Sequence, residues 1–293
     1  MKITVMGSLG HIGKPLTEQL VKQGHEVTVI TSSANRVAEI ENLGAKAAVG
    51  SVEDADFLNN AFTGADAVHT MVPPDMTAPD LAARTHKIGK AITQAIKKSG
   101  VQNVLYVSSY GAHLPEGTGL IKDHHFIEND LSDLNLESLI LLRACYIYYN
   151  TFAYIPMIKA TGNIYTNYGG DDLVTFVSPK DIAEAAADEL TSTKKGRRIR
   201  YVASDERTCN EAAKALGDAI GKEIQWIIIS DEQFKANLEA NGVPPALAEE
   251  LAELYAACHT GLLHEDYEKH KPVLGKVKLE EFAKEFAARY NQQ

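Results

Sequence analysis

The chain has 293 residues, 45% of them hydrophobic, and a formal net charge of −10. That length allows one large domain or a large domain with a smaller partner, and the apolar fraction can bury a substantial core. The acidic balance argues against nucleic acid as the main partner, since that binding rests on clustered Lys and Arg, and no apolar run is long enough to span a bilayer.

Taken in order, residues 2–13 read K-I-T-V-M-G-S-L-G-H-I-G. Ile3, Val5 and Met6 predict a short buried strand. Three glycines, Gly7, Gly10 and Gly13, follow at a spacing of three. The pattern then becomes helical, with Ile12, Leu16, Leu20 and Val21 on one face, and Gly24 stands where a helix C-terminus favours positive φ. A second strand is expected over residues 26–30, which completes a βαβ unit. Strand, glycine turn and helix N-terminus make a dinucleotide-phosphate site. One glycine permits the turn, one lets a pyrophosphate approach the backbone, and one lets helix and strand pack closely. The turn's expected lining is Gly7, Ser8, Leu9, Gly10, His11, Ile12 and Gly13.

The end of the second strand selects the cofactor. An NAD site usually carries a carboxylate there for the ribose 2′-OH. Here the place reads Thr31-Ser32-Ser33-Ala34-Asn35-Arg36. Thr31, Ser32 and the planar, permanently charged fork of Arg36 suit a 2′-phosphate instead. NADP(H) is therefore the expected cofactor, and NAD(H) the second choice.

Strands are further expected over residues 46–49, 67–72, 101–107 and 139–142, separated by helices near 36–42, 51–62, 79–99 and 122–134. Ser51 reads as the cap of the second of these helices. Such alternation predicts an α/β protein with a doubly wound parallel (Rossmann) sheet. Ligands bind at the carboxyl edge of such a sheet. Met71, Val72 and Pro73 after the fourth strand and Ser108 after the fifth thereby join the cofactor set. Residues 1–150 are expected to form the nucleotide domain. Residues 151–293 would form a smaller mixed α/β part over the substrate cleft, with some segments returning to the sheet. Ser178-Pro179-Lys180-Asp181 is a helix start; Thr208 with Glu211 and Ser230 with Gln233 have capping-box spacing.

The chain resembles the NmrA-like family, an atypical branch of the short-chain dehydrogenase/reductases. The resemblance is carried by the three glycines, Gly64-Ala65-Asp66-Ala67-Val68, Val107-Ser108-Ser109 and His125-x-x-Glu128-x-x-Leu131. Leu142-Arg143 with Asn150, and Val177-Ser178-Pro179-Lys180-Asp181-Ile182-Ala183, extend it. It implies an NAD(P)-binding domain and a closing C-terminal part. It also implies either reduction of a quinone or another small acceptor, or a non-catalytic redox sensor; a sugar-nucleotide epimerase is a third reading.

The Tyr-x-x-x-Lys pair of ordinary short-chain dehydrogenases is missing. Its places fall near Leu120 and His124, with Lys122 two residues out of register and therefore on another helix face. His124 or His125 can donate to ribose hydroxyls in place of the Lys, and His124 stands at the matching place. Hydride transfer to a quinone-like or other aromatic or carbonyl acceptor needs orientation and water exclusion more than a proton donor. Tyr110, Tyr148 and Asn150, with His124, are the expected catalytic set, and Pro74, Ser109, His113 and Tyr146 are further wall candidates. No metal site is expected: His259 and His264 are five apart, and His124-His125 point apart. Cys145, Cys209 and Cys258 are read as reduced structural thiols. The start runs straight into a strand, which leaves no place for a signal peptide. A cytoplasmic monomer or homodimer acting on a small molecule, without a membrane, is the expectation.

Overall fold

The computed structural model describes every residue except Met76, Pro79 and Gln293. In chain order its strands are β1 (Lys2–Val5), β2 (Glu26–Thr31), β3 (Lys46–Val49), β4 (Ala67–Met71), β5 (Asn103–Ser109), β6 (Ser138–Ala144), β7 (Tyr146–Ile147), β8 (Ile164–Thr166), β9 (Leu173–Val177), β10 (Gly196–Val202), β11 (Asp205–Thr208) and β12 (Trp226–Ile228). The chain divides into two compact units. The first holds Met1–Ser109, Asp123–Arg143 and Ile182–Arg200, and the second holds the rest.

The first unit is built on the sheet β10-β6-β5-β4-β1-β2-β3. β1 pairs parallel with β2 and β4, β2 with β3, and β4 with β5. The order reverses at β1 and β4, which makes this a doubly wound Rossmann sheet with its switch point beside the first strand. β1, β4 and β6 are almost wholly buried because helices cover both faces. Met6, Ile30, Val68, Val104 and Tyr106 share one core with Leu58, Phe62, Ile88 and Ile92 of the helices Ala55–Phe62 and Leu81–Ser99. Truncating a fully buried residue such as Phe62 would cost about 3–5 kcal/mol.

One helix start differs from the sequence reading. The helix expected from Ser51 begins after Asp54, whose carboxylate accepts from Asp56 N at 2.9 Å and Phe57 N at 3.1 Å. Ser51 Oγ instead accepts from Glu53 N, closing a local turn. The expected start of the long helix at Pro79 lies outside the described residues; from Asp80, whose side chain accepts from Ala83 N, the helix runs over Leu81–Ser99.

The second unit contains the antiparallel pair β11–β9, with β7 parallel to β9, and the parallel pair β12–β8. β11 reads D-E-R-T and gives no strand signal in sequence; its pairing with the apolar β9 decides its conformation. Aromatic residues fill this core. The Tyr148 ring is stacked on Phe176 and Phe282, and the hydroxyls of Tyr146, Tyr154 and Tyr168 form a chain with spacings of 3.1 and 2.8 Å. Asp181 anchors the segment before the last helix by accepting from Lys276 N and Val277 N. At Gly119 a Cβ would come within 2.0 Å of the Glu250 carbonyl oxygen, so only glycine lets this turn lie on the helix Pro245–His259. Among the described residues no helix is long and apolar enough to cross a membrane.

Candidate functional site

β1 runs directly into the glycine turn, and the three glycines have different reasons to be glycine. Gly7 has φ +102°, and a Cβ on it would lie 2.7 Å from Met71 Sδ at the end of β4. Gly13 opens the helix Gly13–Lys22, and its Cβ would lie 2.1 Å from the Ser8 carbonyl oxygen. Gly10 is exposed and has no positive φ. The nearest atom to its Cβ would be the Gly7 carbonyl oxygen at 3.1 Å, and no other lies within 4 Å. Gly7 and Gly13 are thus needed by the protein's own packing, whereas a Cβ on Gly10 would press only on the Gly7 carbonyl.

Ser8, with φ 54°, ties the turn to β2. Its N–H donates to the Ile30 carbonyl at 3.1 Å and its Oγ to Thr31 Oγ1 at 3.0 Å. Leu9 and Ile12 are buried beneath the turn, while His11 is on its exposed side. No side chain caps the helix after the turn, and its first turn holds no acid. The positive end of the helix is therefore left for an anion.

At the end of β2, Ser32 and Arg36 are exposed. Arg36 belongs to the short 3₁₀ turn Ala34–Arg36, and its guanidinium has no hydrogen bond or ion pair among the described residues. The nearby acid Glu39 is paired with Lys14 at 3.1 Å. At the end of β4, Met71, Val72 and Pro73 are partly buried. The loop is held there by Arg84, which donates to the Pro73 carbonyl at 2.8 Å and to Glu53 at 3.2 Å.

β5 and the helix Lys122–Ser132 complete this side of the sheet through two parallel links. Tyr106 OH and His124 Nδ1 are 2.7 Å apart, and Ser108 Oγ donates to Glu128 Oε1 at 2.6 Å. Tyr106 and Ser108 are i, i+2 on a strand; His124 and Glu128 are i, i+4 on a helix. The two steps, ~6.6 Å and ~6.0 Å, nearly match, so one face of each element can be joined twice. Arg143, at the end of β6, closes the network with two bonds to Glu128, from Nε at 3.0 Å and Nη2 at 2.7 Å. All three of its groups are buried. Burial pushes the His124 imidazole down to about 4, against a smaller opposing pull from Glu128. Burial likewise raises the Tyr106 phenol well above its ordinary value. Lys122 is bound to Glu250 at 2.6 Å, and His125 to Asn129 at 2.9 Å.

The expected cofactor residues of the turn, of β2, β4 and β5, and His124 all belong to the first unit. The expected acceptor residues Tyr110, Tyr148 and Asn150 belong to the second. Tyr110 is 4% exposed, with its hydroxyl 3.8 Å from Cys258 Sγ and its ring against His264. Tyr148 is 1% exposed and donates to the Val277 carbonyl at 3.1 Å. Both phenols are thus buried, with an internal partner at each hydroxyl. Asn150 is exposed. Tyr106 was not singled out in the sequence; its signal is a polar aromatic two residues before Ser108, on the same strand face.

Fold and turn together define a Rossmann-fold protein with its glycine loop at the switch point. The NmrA-like family model matches residues 1–283, and the chain belongs to that family. It is 24% identical to the NAD(P)H azoreductase of Xenophilus azovorans over 98% of this chain and 99% of that protein. Among solved structures it is similar to the NADPH complex of the quinone oxidoreductase QOR2 from Escherichia coli. That match has a TM-score of 0.81 and 22% identity, covering 97% and 99% of the two chains. The triphenylmethane reductase of Citrobacter sp. superposes with a TM-score of 0.80 and 22% identity over 98% and 100%.

Proposed function

We propose that this protein is an NADP(H)-dependent reductase of a small, extended conjugated acceptor of the quinone or dye type. The observation that carries the cofactor half is the exposed Gly10 of the turn together with an Arg36 that has no ion-pair partner among the described residues. An exposed glycine without a Cβ, an uncapped helix N-terminus and a guanidinium in place of a carboxylate fit a dinucleotide with a 2′-phosphate. Gly7, Ser8, Leu9, Gly10, His11, Ile12 and Gly13 would hold the pyrophosphate. Thr31, Ser32 and Arg36 would hold the adenosine ribose and its phosphate. Met71, Val72, Pro73 and Ser108 would line the path to the other end, with His124 donating to the nicotinamide ribose.

The cofactor, when bound, supplies the hydride. The chain's own part is to fix orientation and exclude water. The missing Tyr-x-x-x-Lys pair supports direct transfer without an indispensable protein acid. Support for the acceptor class comes from the names of the relatives, an azoreductase, a quinone oxidoreductase and a triphenylmethane reductase: azo compounds, quinones and triphenylmethane dyes are all conjugated. The test is oxidation of NADPH and NADH, followed at 340 nm, against quinones, azo dyes, triphenylmethane dyes and simple aldehydes. Turnover of aldehydes alone would refute the acceptor class. Tight NADPH binding without turnover of any acceptor would refute the enzyme in favour of a sensor.

A further inference from the structure

The pair Tyr106–His124 does more than pin a strand to a helix. Tyr106 is fully buried, and the His124 ring is its one hydrogen-bond partner among the described residues. Other acceptors nearby are taken. Glu128 Oε1 accepts from Ser108 and Arg143, its Oε2 from Arg143, and Asp123 Oδ1 is 2.9 Å from His86 Nε2. If His124 Nδ1 carried the proton, the Tyr106 O–H would be a buried donor with nowhere to go, which is costlier than an unused phenol lone pair. The low-cost arrangement has the phenol donating to a bare Nδ1. His124 Nε2 has no partner among the described residues and is not one of the buried, unsatisfied atoms, so it is not sealed off.

We propose that Tyr106 is a positioning residue that fixes His124 as the Nε2–H tautomer and holds that N–H as a stationary, uncharged hydrogen-bond donor for the nicotinamide ribose. The proposal rests on the reading of His124 as the ribose donor. It adds that a neutral imidazole oriented by a buried phenol replaces the charged Lys. Tyr106 itself touches no cofactor. A ring free to turn would present either nitrogen; a ring held at Nδ1 presents one.

The experiment is ¹⁵N NMR of histidine-labelled protein, with His124→Ala identifying the resonances, alongside NADPH titrations of the native protein, Tyr106→Phe and His124→Ala. The native His124 should show an unprotonated Nδ1 and a protonated Nε2. Tyr106→Phe keeps the ring volume and removes only the donor. It should shift the ring toward a mixture of tautomers and weaken NADPH by roughly 2- to 12-fold, the worth of one neutral hydrogen bond. A protonated Nδ1 in the native protein overturns the proposal, and does so even if the variant fails to fold. An unchanged tautomer and affinity in folded Tyr106→Phe overturns it too. Unchanged NADPH affinity in His124→Ala overturns the ribose reading beneath it, whichever tautomer is found.

Discussion

Gly13 and Ser8 are in backbone contact across the glycine turn: a Cβ on Gly13 would lie 2.1 Å from the Ser8 carbonyl oxygen. Gly10, three residues away, has no such neighbour beyond the Gly7 carbonyl at 3.1 Å. The two glycines should therefore fail differently. Gly13→Ala should destabilise the protein, by about 1–3 kcal/mol for overpacking a rigid turn. Gly10→Val should stay folded and lose dinucleotide binding, because its branches fill the phosphate approach. Denaturation midpoints and NADPH titrations of both variants check this. A folded Gly10→Val that still binds NADPH would make the loop merely structural.

Arg36 has no ion-pair partner among the described residues, and the end of β2 carries no carboxylate. Arg36→Ala should weaken NADP(H) by about 1–3 kcal/mol, the scale of a charge-assisted contact, and leave NAD(H) nearly unchanged. The measurement is a pair of titrations with the two cofactors. Equal affinities in the native protein would remove Arg36 from the 2′-phosphate.

Arg143 and Glu128 are both buried and joined by two hydrogen bonds. Arg143→Met would strand the carboxylate and should cost about 3–5 kcal/mol of stability. A double change with Glu128→Leu should recover much of the loss, since an apolar pair replaces a desolvated one. Urea unfolding of the two variants decides it; a single variant as stable as the native protein would mean that the pair is not buried in solution.

His69 on β4 is fully buried, and neither ring nitrogen has a hydrogen-bond partner among the described residues. Burial lowers it from 6.5 to about 4. The folded state keeps the ring neutral while the unfolded chain protonates it, so its contribution is complete above pH 6.5 and is lost as the pH falls toward 4. Between pH 7 and pH 4.5 it should account for about 2–3 kcal/mol of lost stability. His69→Leu should remove that share of the slope and cost little at pH 7. An unaltered pH dependence in the variant would show that the ring is not desolvated.

Tyr148→Phe keeps the ring stacked on Phe176 and Phe282 and removes only the bond to the Val277 carbonyl. A loss of about 1 kcal/mol in stability is expected, with kcat/KM for any active acceptor within about twofold. A collapse of turnover without loss of cofactor affinity would place Tyr148 in the chemistry.

The sheet was legible because its strands are apolar runs between glycine turns, and the glycine loop because its spacing follows β1 directly. The side-chain directions were not. The run Tyr146-Ile147-Tyr148-Tyr149-Asn150 reads as a wall of hydroxyls, yet Tyr148 turns inward to an aromatic stack and a carbonyl more than a hundred positions away in sequence. Periodicity says that an aromatic ring is buried, not where its hydroxyl ends up. Tyr106 was invisible for the opposite reason: inside an apolar strand it passes for core, and only the helix opposite reveals its partner. Asp54 outcompeted Ser51 as a cap because its carboxylate reaches two N–H groups where the serine hydroxyl reaches one, in a turn.

The discontinuity of the first unit bears on its birth at the ribosome. β6, buried along all seven residues, acquires its outer neighbour β10 only after more than fifty further residues have been made. Until then the nascent sheet ends in a naked apolar edge, the kind that pairs with another chain. A nascent chain stalled, or a fragment ended, between residues 144 and 196 would carry that edge exposed, and should enlist holding chaperones until β10 emerges.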